Sequence, residues 1–165
     1  MGISGCALLM PKKAEADTSI SGSIESRCTV NTDTAGYYGN PSANTLTTLP
    51  ASNGQVPIVR IDTTLANAYK AQISYPTSFS SSPSLSDSVT WSGAVAVVQT
   101  SVSGMSAYQA ASTVTNGGAM RVYNLTLAGT TWFSVSSQAL YGGGQAKPFP
   151  GGSYTAVVVA ECVAQ

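Results

Sequence analysis

Histidine is absent from this 165-residue chain, and only 8% of its residues are charged. Without histidine the chain lacks the commonest general base and metal ligand, and it cannot build a Ser-His-Asp or Cys-His site. Its seven acidic residues form no recognisable catalytic motif, and a net charge of +0 provides no basic patch for nucleic acid. We therefore expect no enzymatic activity, no cofactor, no metal and no nucleic-acid partner.

Long apolar runs are also absent, since no segment approaches the roughly 18–20 apolar residues that a membrane-spanning helix needs. We therefore expect no membrane span. Residues 1–16 contain the short apolar run "GISGCALLM" followed by "AEA", which has the A-x-A form of an export cleavage site before Asp17. Because a basic region before the run is missing, we interpret residues 1–16 as an export signal truncated at its start. The alternative is a lipoprotein, because "ISGC" has the shape of a lipidation site at Cys6.

Only three cysteines are present, and removal of residues 1–16 would leave Cys28 and Cys162. Two cysteines in an exported chain favour a disulfide. The alternative is a pair of unrelated buried thiols. A bridge would tie the first strand to the last.

Short segments of strand character recur between clusters of Gly, Asn, Pro and Ser, and this pattern predicts an all-β protein. Gly93 is expected to bend "VTWSGAVAVVQTSV" and split it into two strands. The most hydrophobic segment is "SYTAVVVAECVAQ" near the C-terminus. Its consecutive valines at 157–159 predict a strand that is covered on both faces.

The stretch "SISGSIESRCTV" alternates small or polar residues with Ile20, Gly22 and Ile24. It resembles the N-terminal segment of chaperone–usher pilins, in which an alternating extension leads into a first strand that carries a cysteine. The ending "PFPGGSYTAVVVAECVAQ" is similar to that family's Pro/Gly turn and valine-rich last strand, and "VRIDTTLANAYKAQISYP" resembles its second and third strands. The likeness is nearest to the archaic, alternative and spore-coat-U-like branches. Many pilins place a second cysteine at the end of the second strand, where this chain has "IDTT".

This resemblance implies an incomplete immunoglobulin-like β-sandwich that is completed by donor-strand exchange. Residues 17–25 would form the donor-strand extension and residues 26–165 the sandwich domain. The implied donor residues are Thr18, Ile20, Gly22 and Ile24. The implied acceptor groove runs along the last strand and contains Tyr154, Val157, Val159 and Val163.

The resemblance also implies a function and a location. The chain would be a major subunit of an extracellular fimbria on the cell surface, exported through the periplasm, and would support adhesion or biofilm formation. Its partners would be identical subunits, a periplasmic chaperone and an outer-membrane usher.

Two alternatives to this interpretation remain at the level of sequence. The segment around Ile20 and Ile24 could be an ordinary first strand paired within its own domain. The chain could also be a secreted or lipid-anchored module that binds carbohydrate or another surface. The aromatic residues available for stacking on a sugar would then be Tyr37, Tyr38, Trp91, Tyr108 and Trp132.

Overall fold

The computed structural model describes residues 21–102, 114–145 and 147–165, and these residues form an all-β protein. Short 3₁₀ turns lie at Pro50–Ser52 and Gly142–Gly144. Within the described ranges there is no helix long and apolar enough to cross a membrane. The ten strands are β1 (Cys28–Thr34), β2 (Gly39–Ser42), β3 (Thr45–Thr47), β4 (Ile58–Thr63), β5 (Tyr69–Ser74), β6 (Val89–Thr100), β7 (Val114–Gly117), β8 (Met120–Leu125), β9 (Gly129–Tyr141) and β10 (Val159–Ala164).

The strands form two antiparallel sheets. In the large sheet, β9 pairs with β6 along one side, while β4 and β3 pair with successive halves of its other side. Strand β1 lies outside β4, and β2 lies outside β3. The small sheet has the order β10-β5-β8-β7.

A hydrophobic core lies between the two sheets and receives side chains from both. Alternation along the strands explains which residues reach it, because successive side chains point to opposite faces. In β5, Ala71 and Ile73 are fully buried, as the sequence pattern of that segment indicates. The central cluster consists of Val59, Ile61, Ala71, Ile73, Val95, Tyr123, Leu125, Phe133 and Val135.

The expected break in β6 does not occur at Gly93. This strand continues from Val89 to Thr100, and its irregularity falls between Val97 and Gln99. Gly93 serves packing instead: a Cβ atom there would lie 2.6 Å from Cγ of Tyr75, which is closer than real Cβ contacts. The absent side chain makes room for the Tyr75 ring from the opposite sheet.

The expectation that the last strand is covered on both faces is also wrong. Val158 and Ala160 pack against the core. Val157 and Val159 are 56% and 47% exposed, respectively. The outer face of this segment is therefore open in the described structure, and the run of three valines does not indicate burial on both sides.

A disulfide joins Cys28 of β1 to Cys162 of β10, with 6.2 Å between their Cα atoms. The predicted pairing of the two cysteines is confirmed. The bridge connects the large sheet to the small sheet across 134 positions of sequence. The residues interpreted as an export signal, with Cys6, and the donor residues Thr18 and Ile20 lie outside the described residues.

Candidate functional site

The strands β1 and β10 each end a sheet. In the part of the chain that the structure describes, β1 pairs only with β4, and β10 pairs only with β5. The disulfide joins Cys28, where β1 begins, to Cys162, near the end of β10. In chain direction, β1 therefore runs away from the bridge, whereas β10 runs toward it. Thr32 of β1 and residues 156–158, which lead into β10, line a cavity of about 270 Å³, which we name the β1–β10 cleft.

Exposure along β1 shows that its core-facing side is only partly covered. Thr29 and Asn31 face outward, since both hydrogen-bond to the carboxylate of Asp62, at 3.5 and 3.4 Å. Alternation therefore turns Val30 and Thr32 toward the inside. Yet Val30 is 37% exposed and Thr32 is also exposed. The inner face of β1 therefore carries an apolar side chain that the described residues cover only in part.

The walls of the cleft are largely apolar. Ala156, Val157 and Val158 line it from the segment that enters β10, and Val59 lines it from the core. The backbone at Thr155 is paired with Ser81 in an isolated bridge outside the two sheets. Thr32 lies on the opposite wall. An apolar strand edge of this kind can accept another strand, because it offers both backbone hydrogen-bonding groups and side-chain pockets.

The end of the cleft farthest from the bridge is polar but satisfied. The hydroxyl groups of Tyr38 and Ser137 lie 3.2 Å apart in a hydrogen bond, and the Ser137 amide donates to Thr48 Oγ1 at 2.9 Å. Burial raises the pKa of Tyr38, although its bond to Ser137 acts in the opposite direction. Tyr38 therefore stays neutral at ordinary pH, and this end of the cleft carries no charge that would repel an apolar side chain.

The N-terminal extension leaves the domain beside the bridge, because Arg27 directly precedes Cys28. Residues 21–27 have no regular secondary structure and are exposed. The Arg27 amide donates to Thr64 Oγ1 at 2.9 Å, and Thr64 Oγ1 donates to the carbonyl oxygen of Glu25 at 2.8 Å. The Ser26 hydroxyl donates to the Tyr69 hydroxyl at 2.9 Å. These bonds hold residues 25–27 beside Thr64, which directly follows β4, and Tyr69, the first residue of β5.

The donor residues that the structure describes make little contact with the domain. Ile24 is 77% exposed, and nothing lies within 4 Å of the position where Gly22 would carry a Cβ. Over residues 21–24, the described structure therefore gives this segment no strand pairing within its own domain. Thr18 and Ile20 lie outside the described residues.

The four residues assigned to the acceptor groove do not form one surface. Val157 lines the β1–β10 cleft and also a second pocket, which it shares with Val159, Ser74 and Met120. Val163 pairs with Lys70 and has the same parity as Val159. Tyr154 packs against other aromatic rings.

In the last segment, the even-numbered residues face the core. The sequence holds a signal for this parity, since a bridged Cys162 must face the core. Alternation then gives Val158 and Ala160 the same orientation as Cys162. Ala156, with the same parity, lines the cleft.

A cluster of aromatic rings fills the interior near Tyr38, and sequence reasoning did not foresee it. Phe79 lies at its centre, with its ring centroid 4.7 Å from that of Trp91, 5.0 Å from Tyr154 and 6.1 Å from Phe149. These rings come from loops and strands far apart in sequence, so no local pattern reveals the cluster.

The aromatic residues considered for sugar stacking are distributed over different surroundings. Trp91 and Tyr38 both pack edge-on against Phe79. Trp132 lies in β9 opposite Arg60 of β4, and Tyr37 is exposed. Tyr108 lies outside the described residues. The described aromatics therefore do not form one flat platform.

Comparison of the chain with protein-family models, with curated proteins and with solved structures gave no match. Among the described residues, no group of three or more His, Cys, Asp or Glu side chains could hold a metal ion. The β1–β10 cleft is thus the feature with the clearest binding geometry.

Proposed function

We propose that this protein is the structural subunit of an extracellular fimbria, with an immunoglobulin-like sandwich that lacks one strand. In this proposal, the N-terminal segment 17–24 of a neighbouring copy fills the β1–β10 cleft. A periplasmic chaperone and an outer-membrane usher would handle the subunit before assembly. The resulting fibre would support adhesion or biofilm formation at the cell surface.

The observation that carries the proposal is the pair of facing, unpaired edges. Strand β1 and the segment that leads into β10 border one cleft, and the inward-facing Val30 of the same β1 edge is 37% exposed. Unpaired backbone groups and apolar surface at a sheet edge are both costly in water and favour the addition of a strand. An added strand would cover Val30 and supply hydrogen bonds to both edges.

Two features support the extension as the occupant of the cleft. They are its sequence and the place where it leaves the domain. Ile20 and Ile24 alternate with small residues, which suits a strand that presents apolar side chains to one face. An engineered cavity of about 150 Å³ accommodates benzene, so the 270 Å³ of the cleft is enough for one isoleucine side chain. Each buried isoleucine would contribute roughly 1.5–3 kcal/mol.

The positions of the extension and the cleft favour insertion of the extension into a second copy rather than into its own domain. The extension leaves beside Thr64 and Tyr69, next to the bridge at Cys28. The cleft continues away from that end toward Tyr38. A head-to-tail contact between different surfaces does not close on itself, so it propagates as a filament.

The decisive experiment removes the extension. Deletion of Asp17–Ser23 should leave a folded subunit that forms no filaments by electron microscopy and no SDS-resistant ladder. A synthetic peptide with the sequence of residues 17–24 should then bind the deleted subunit and raise its unfolding temperature.

A peptide with Ile20 and Ile24 both replaced by serine provides the matched control and should not bind. Filaments that form from the deletion variant would falsify the proposal. Peptide binding that is unchanged by the two serine replacements would also contradict it, because the isoleucines would then not be anchors.

A further inference from the structure

We propose that the Cys28–Cys162 disulfide is the end stop of the β1–β10 cleft and limits an inserted strand to about six residues. This inference rests on the proposed function, and it adds a register to it. The bridge joins the two walls of the site themselves, because Cys28 belongs to β1 and Cys162 belongs to β10.

An inserted strand requires a minimum width between the two walls. Neighbouring strands lie about 4.8 Å apart, so two strands that flank an inserted strand stand about 9.6 Å apart. The Cα atoms of Cys28 and Cys162 are only 6.2 Å apart. A third backbone therefore cannot pass between the walls at the bridge, and the covalent bond prevents them from separating there.

The cavity begins at a distance from the bridge on both walls. Thr32 on one wall and Val158 on the other both line the cavity, four positions from Cys28 and Cys162, respectively. The six residues of β1 beyond Cys28 extend to Thr34. At about 3.3 Å per residue they offer an edge of roughly 20 Å, which an incoming strand of six residues would fill.

This limit has a consequence for the donor segment. Residues 17–24 comprise eight residues, so part of that segment must remain outside the cleft as a connection between subunits. The bridge thereby sets the register, because the leading end of the inserted strand stops against it. Slippage of a strand by one residue would turn every side chain to the opposite face, so a fixed end has a clear role.

Amide hydrogen exchange on the bridged protein tests the inference. The experiment compares the Asp17–Ser23 deletion variant, free and saturated with the peptide of residues 17–24, and repeats the measurement on filaments of the full chain. The peptide should slow exchange by at least about tenfold on the cleft-facing amides of Val30–Thr34 and of residues 156–160. Exchange next to Cys28 and Cys162 should be unchanged.

A variant without the bridge, Cys28→Ala with Cys162→Ala, extends the test. If this variant folds, protection should spread to residues 28–29 and 161–163, and a peptide lengthened by four residues should bind at least about tenfold more tightly than the eight-residue peptide. In the bridged protein the same lengthening should change affinity less than about twofold. If the variant does not fold, the exchange pattern of the bridged protein decides alone.

Each result has a distinct meaning. Protection that runs up to Cys28 and Cys162 in the bridged protein overturns the end stop but leaves strand insertion standing. An absence of protection on both walls, with peptide present in excess, overturns strand insertion and the end stop together.

Discussion

The hydroxyl group of Tyr123 in β8 donates a hydrogen bond of 3.0 Å to the main-chain carbonyl oxygen of Val95 in β6. The bond is buried and crosses from the small sheet to the large sheet, so it fixes their separation in the middle of the core. The Tyr123 ring also packs against Phe133, with 4.9 Å between the ring centroids. One side chain thus supplies both apolar contact and a polar link between the sheets.

Tyrosine burial predicts the pH dependence of stability. Burial raises the pKa of Tyr123 and of Tyr38 above the ordinary value of 10.0. The unfolded chain then loses these protons at lower pH than the folded one. The contribution of the two tyrosines to folding stability is therefore fully present below pH 10 and is lost as pH rises through the folded pKa values. Urea unfolding should show little change between about pH 6 and 9, because histidine is absent, and a decline above pH 10.

The variant Tyr123→Phe provides the control for that decline. It should lose about 1 kcal/mol at pH 7, since the hydrogen bond to Val95 is removed, and its stability should fall less steeply above pH 10. An equally steep alkaline decline in this variant would show that Tyr123 is not one of the groups that titrate.

The contact of Tyr75 with Gly93 predicts that even a methyl group is harmful at this position. A Cβ atom at Gly93 would lie 2.6 Å from Tyr75 Cγ and 2.5 Å from the Ser136 carbonyl oxygen. Gly93→Ala should therefore lower the free energy of unfolding by about 1–3 kcal/mol, as overpacked core variants do. Ala94→Val, on the exposed outer face of the same strand, should change it by less than about 0.5 kcal/mol. Equal effects in the two variants would contradict the packing argument.

The cleft can be blocked from within by a large side chain. Ala156 lines the cleft, so the tryptophan of Ala156→Trp should occupy the space that the proposed donor side chain would fill. We expect this variant to remain folded and monomeric and to bind the peptide of residues 17–24 at least about tenfold more weakly. Its neighbour Thr155 is exposed and pairs through its backbone with Ser81. Thr155→Trp should therefore assemble normally, and peptide titration followed by fluorescence distinguishes the two variants.

A substitution at Gly22 distinguishes effects on the stability of the subunit from effects on its assembly. Since nothing lies within 4 Å of its position, Gly22→Ala should leave the unfolding temperature of the monomer unchanged. In a filament of the proposed kind, the added methyl group would hinder the close approach of the donor backbone to the cleft, and assembly should slow. Gly151 also lies in open space, so Gly151→Ala should alter neither property. Light scattering follows assembly, and normal kinetics in Gly22→Ala would exclude a close contact at this glycine.

Much of the strand content could be predicted from the sequence, because alternation is a local property. In β5, Ala71 and Ile73 alternate with polar residues, and the structure buries both. The disulfide could be predicted from the number of cysteines. The continuity of β6 through Gly93 could not, since it depends on the ring of Tyr75 arriving from another sheet.

The cleft was harder to derive than the strands. Val157, Val158 and Val159 look alike in sequence, and only pairing with β5 and the bridge decides that Val158 faces the core. The exposure of Val30 depends on which strands lie beside β1, and no local pattern contains that information. The aromatic cluster around Phe79 likewise brings together rings that are separated by long stretches of chain.

The bridge also has a mechanical consequence. The extension enters the domain at Arg27, directly before Cys28, and Cys28 is bonded covalently to β10. A pulling force on the extension therefore passes at its first strand residue into both sheets at once. Unzipping of β1 from β4, one hydrogen bond after another, cannot begin from that end without first breaking the sulfur–sulfur bond. If neighbouring subunits hold one another through this extension, tension along the fibre is carried by a covalent link where each domain would otherwise yield most easily.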